Sequence, residues 1–73
     1  MPDAKDTIVR CVREIDELNR QIAEHWSMIQ RRIEDDRVDD AIPLLKAYLR
    51  LKTKLQNVES SLAGTLGGQF SDR

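Results

Sequence analysis

The sequence predicts an all-α fold: one antiparallel two-helix hairpin that pairs with a second copy to form a four-helix bundle. Three observations predict it. Two long segments carry apolar side chains at steps of three and four residues, the spacing that lines one face of an α-helix. A short carboxylate-rich stretch, Glu34 to Asp40, separates them. When the chain is folded back near Asp36, the two apolar stripes fall opposite each other, layer by layer.

The first element is expected over residues 6–34, after a flexible segment 1–5. Its stripe reads Ile8, Cys11, Val12, Ile15, Leu18, Ile22, Trp26, Ile29 and Ile33, with no Gly or Pro inside. Asp3 and Asp6 stand where carboxylates favour the positive end of the helix dipole, and Arg31 and Arg32 stand near the negative end. About 28 residues make a rod of roughly 42 Å. A turn is expected over residues 35–37. The second helix is expected over 38–63, with Pro43 in its first turn, where a missing N–H does little harm. Its stripe reads Ala41, Leu44, Tyr48, Leu51, Leu55, Val58, Leu62 and Leu66. Gly64 is the expected stop, followed by a flexible tail over 65–73.

Folding at Asp36 sets Ile29 against Leu44, Trp26 against Tyr48 or Ala47, and Ile22 against Leu51. Farther from the turn it sets Leu18 against Leu55, Ile15 against Val58 and Cys11 against Leu62. Trp26 is read here as a core residue. A short connection favours antiparallel neighbours in any case.

A chain of 73 residues is one domain at most, and its core alone supplies only about 3–5 kcal/mol. With one cysteine and one histidine, neither an intrachain disulfide nor a Cys/His zinc site can form. Self-association is the remaining route to stability. Helix 2 carries a second apolar row, Val38, Ile42, Leu45 and Leu49, beside its main stripe. Met28 lies off the main stripe of helix 1. An apolar band this wide is more than one partner helix covers. A second copy, giving a homodimer, or a groove on another protein would cover it.

Charged residues make up 34 % of the chain at a net charge of −1, with the signs interspersed as on solvated helix faces. No apolar run approaches the roughly 20 residues of a membrane span. A lone cysteine and an N-terminus without an apolar leader predict a cytoplasmic protein.

Candidate chemistry is sparse. The cluster Glu34, Asp35, Asp36, Asp39 and Asp40 lacks the alternating ligands and central glycine of a calcium loop, so capping is its expected role and no metal is expected. Lys46, Arg50 and Lys54 recur every four residues, a basic stripe that in a dimer would suit RNA or DNA phosphates, though no aromatics interleave with it. His25 has no adjacent nucleophile to activate; Ser27 projects elsewhere around the helix. Cys11 is expected to act as a small buried apolar group. With aliphatic layers and no concavity, neither an enzyme nor a cofactor site is expected.

The stretch Asp36-Arg37-Val38-Asp39-Asp40-Ala41-Ile42-Pro43-Leu44-Leu45-Lys46-Ala47-Tyr48-Leu49 resembles the turn and second helix of a tetratricopeptide repeat. Asp36 replaces the usual glycine, helix 1 lacks the repeat's Leu-Gly and aromatic pattern, and the unit occurs once. What the resemblance implies is a helix-turn-helix pair. In overall build the chain is also similar to the small hairpin co-chaperones of type III secretion needle subunits, which implies protein binding.

The expected function is therefore that of a non-enzymatic protein-binding hairpin, an adaptor, co-chaperone or inhibitor/regulator of a partner protein. The expected contact residues are Met28, Val38, Ile42, Leu45 and Leu49, with Lys46 and Arg50 as orienting charges. The alternative is a dimeric RNA- or DNA-binding bundle that uses Lys46, Arg50 and Lys54.

Overall fold

The computed structural model describes residues 4–69. It consists of two helices, α1 (Ala4–Glu34) and α2 (Val38–Gln69), and no strand among those residues. The molecule measures 53 × 19 × 17 Å. One helix of 31 residues spans about 46 Å, so the two lie side by side, whereas an unbroken rod would reach roughly 100 Å.

Three backbone hydrogen bonds close the C-terminus of α1. Asp35 N–H donates to the Arg31 carbonyl (3.1 Å), Asp36 N–H to Ile33 (3.0 Å) and Arg37 N–H to Arg32 (2.8 Å). The last two bonds form a Schellman motif, which turns the chain by placing one residue in the left-handed region. That residue is Asp36, with φ of 60°. Aspartate tolerates this conformation better than most side chains, although glycine adopts it more readily. The chain then re-enters a helix at Val38, where Asp40 N–H donates to the Arg37 carbonyl (3.1 Å). Asp39 and Asp40 lie in this first turn, where their charge complements the dipole. Arg37 reaches the Asp40 carboxylate at 2.8 Å.

The seam buries Cys11, Leu18 and Ile29 from α1 and Ala41 and Leu55 from α2. Leu44, Tyr48, Leu51, Val58 and Leu62 are half-buried beside them.

The helices are longer than the sequence predicts. α1 begins at Ala4, inside the segment 1–5 read as flexible; Ala4 and Lys5 are good helix formers. Residues 1–3 lie outside the described residues. α2 runs through Gly64 to Gln69, so residues 65–69 are helical and not tail; residues 70–73 lie outside the described residues. Neither Gly64 nor Gly67 takes a positive φ, and Leu62 and Thr65 keep a half-buried stripe running across Gly64. Pro43 is the sixth residue of α2, in its second turn, because the helix starts as early as Val38.

Candidate functional site

Two surfaces flank the seam, and His25 and Trp26 divide them. Successive helical residues project about 100° apart, so these two side chains leave α1 on opposite sides of α2.

On the Trp26 side large apolar side chains dominate the surface, edged by Gln30, Glu34 and Lys52. The Trp26 indole rests against the Tyr48 ring, centroids 5.3 Å apart and planes tilted by 38°. Lys52 Nζ sits 6.0 Å from the Tyr48 centroid, within the reach of a cation–π contact. Trp26 is 45 % exposed, which corrects its reading as a core residue. The indole leaves α1 to one side of the buried line of Leu18 and Ile29, opposite His25, and lies across the edge of the seam against Tyr48. Ile33 is exposed beside it, and Trp26, Ile29, Gln30, Ile33 and Glu34 line a shallow groove of about 320 Å³. The second row of α2 continues around that helix: Val38 is 51 % exposed, Ile42 44 % and Leu49 61 %. Leu45 is half-buried. These four residues share one strip, because their spacings of three, four and seven return to the same helical face.

On the His25 side the surface is mixed. A groove of about 450 Å³ is lined by His25 of α1 and by Ala47, Arg50, Leu51, Lys54 and Asn57 of α2. Thr53 also lines it, but its hydroxyl donates to the Leu49 carbonyl at 3.1 Å. His25 Nδ1 lies 2.9 Å from the Gln21 carbonyl; a carbonyl only accepts, so Nδ1 carries the proton and Nε2 is left for other partners. No carboxylate lines the groove. Arg20 pairs with Glu17 and Arg37 with Asp40; among the described residues no ion pair holds Arg50 or Lys54.

The expected contact residues therefore divide. Val38, Ile42, Leu45 and Leu49 stay together on the strip. Arg50 faces the His25 groove, and Lys46, one turn earlier on the same helix, is exposed. Met28 joins neither set: it is exposed beside Glu24, His25, Ser27 and Arg31. Lys54 follows Arg50 into the groove while Lys46 does not line it, so the basic stripe is only partly shared. Sequence spacing identified the strip but missed its neighbours Trp26 and Ile33, which it assigned to the seam. It also missed the groove, since His25 and Arg50 are brought together by the lateral placement of the helices.

Cys11 is buried and forms no disulfide. Among the described residues no three His, Cys, Asp or Glu side chains converge on a point that would hold a metal ion. No helix there is long and apolar enough to cross a membrane. No protein-family model, curated protein or solved structure matches the chain.

Proposed function

We propose that this chain is a small non-enzymatic protein-binding module of the cytoplasm, an adaptor, co-chaperone or regulator that lays an apolar helix face on another protein, and that it associates with itself as a four-helix bundle. The observation that carries this reading is the set of large apolar side chains left exposed: Trp26 and Ile33 on α1, and Val38, Ile42 and Leu49 on one face of α2. Such surfaces on small helical proteins are normally covered by a partner.

Surface area supports it. A compact monomer of 8.4 kDa exposes about 4,600 Å², whereas this chain exposes 5844 Å². The excess of about 1,200 Å² reflects an elongated hairpin of 53 × 19 × 17 Å, whose helices each keep a long face that a second copy can cover. A two-fold pair is the simplest arrangement, because one apolar face then covers another of the same kind.

Sedimentation equilibrium tests the proposal. The native chain is expected at twice its monomer mass at micromolar concentration. Ile42→Glu combined with Leu49→Glu is expected at the monomer mass, because two charges would be desolvated in each face. An unchanged mass in the double variant would remove the strip from the interface.

The second reading, a nucleic-acid-binding bundle, is favoured by one observation: Arg50 and Lys54 share a groove without carboxylates. It predicts retention on RNA or DNA at low salt that weakens steeply as salt is added.

A further inference from the structure

Resting on the protein-binding reading above, we infer that the groove between His25 of α1 and the Ala47–Asn57 stretch of α2 is a docking site for an acidic amphipathic segment of a partner protein. The charge of the groove runs against that of the whole. The chain carries a net charge of −1, yet this groove gathers Arg50, Lys54 and His25 and no acidic group. Neither cation is neutralised by an ion pair within the described residues. Unpaired positive charge in a concave, partly apolar surface favours carboxylates that are desolvated on docking.

The floor narrows the class of ligand. Ala47, Arg50, Leu51 and Lys54 follow one another at the i, i+3, i+4, i+7 spacing of a single helix face, so apolar and basic positions alternate along the groove. Ala47 and Leu51 offer contacts for aliphatic side chains, while Arg50 and Lys54, one turn apart, suit two carboxylates one turn apart on a helical peptide. His25 Nε2 and the Asn57 side-chain amide add polar contacts, because His25 Nδ1–H is already held by the Gln21 carbonyl. A polynucleotide fits less well. The larger aromatic rings, Trp26 and Tyr48, stack on each other and do not line the groove, which leaves only His25 and Arg50 there to stack bases. Docking here leaves the Trp26–Leu49 surface available for the second copy.

The test uses the full chain, isotope-labelled for amide NMR, and three probes. The first is a helical peptide carrying Glu at i and i+4 beside Leu. The second is the same peptide with Gln for Glu, and the third is a single-stranded RNA of matched charge. The acidic peptide is expected to shift the amides of His25, Ala47, Arg50, Leu51 and Lys54, and the Gln peptide to bind at least ten-fold more weakly. Arg50→Glu with Lys54→Glu is expected to lose the acidic peptide while retaining helix content and sedimentation mass. Lys52→Glu, beside Tyr48 and outside the groove, is expected to bind as the native chain does. Equal binding of the Gln peptide, or full binding by the double variant, would overturn the inference. Shifts confined to the Trp26–Leu49 surface would overturn the groove and retain the protein-binding reading. Shifts in the groove with RNA alone would overturn both.

Discussion

At the scale of single residues, the bend depends on Asp36. Its φ of 60° costs a residue with a Cβ about 1–2 kcal/mol in the general case, somewhat less for aspartate. Asp36→Gly removes that cost but adds freedom to the unfolded chain, so a net gain of about 0.5–1 kcal/mol is expected. Asp36→Val, branched at Cβ, should lose more than about 1 kcal/mol. Denaturant midpoints at one fixed protein concentration measure both; a destabilising Asp36→Gly would contradict the left-handed cap. The carboxylate-rich sequence at the bend did not disclose which of its residues takes the left-handed turn. Any of Asp35, Asp36 or Asp39 is chemically suited, and the choice is made where the α1 carbonyls of Arg32 and Ile33 find their donors. Trp26 was misread for a related reason. Periodicity puts Trp26 on the apolar stripe but does not say whether it falls at the centre of the seam, with Leu18 and Ile29, or at its edge.

At the scale of elements, the seam depends on a few buried contacts. Leu18 is 6 % exposed and Leu55 9 %. Truncating either to alanine should cost about 2–5 kcal/mol, comparable with the whole stability of a domain this small. Circular dichroism is expected to show Leu18→Ala largely unfolded at low concentration. Val9→Ala, on an exposed position of the same helix, should change stability by no more than about 0.5 kcal/mol. The glycines late in α2 offer the opposite prediction. A Cβ built at Gly64 meets nothing within 4 Å, and the residue is helical, so Gly64→Ala should stabilise by about 1 kcal/mol. A loss of stability would mean that Gly64 ends the helix after all. The two-helix, all-α architecture was legible because three- and four-residue spacing is a strong and redundant pattern. The end of α2 was not, because a glycine ends a helix only where it takes up the left-handed conformation, and here the half-buried stripe carries on past it.

At the scale of the whole molecule, the hairpin separates two kinds of surface that are mixed in the sequence. Alternation along α2 interleaves Leu45 and Leu49 with Lys46 and Arg50, and only wrapping that helix against α1 sends the first pair toward the Trp26 side and Arg50 into the groove with His25. The apolar strip could therefore be read from spacing, since all four of its residues lie on one helix. Its extension to Trp26 and Ile33, the exclusion of Met28 and the existence of the groove required both helices in place. Which flank of α1 meets which flank of α2 is set by how the chain leaves the Asp36 turn, and no periodicity encodes it.

Trp26 is the only tryptophan, and it lies on the apolar surface that self-association is proposed to cover. Acrylamide quenching of its fluorescence through a dilution series, with sedimentation mass measured at the same concentrations, is therefore the most direct test. The account predicts that quenching falls and emission shifts to shorter wavelength over the same range in which the mass doubles. Equal quenching at every concentration, or a doubled mass with Trp26 still open to the quencher, would contradict it.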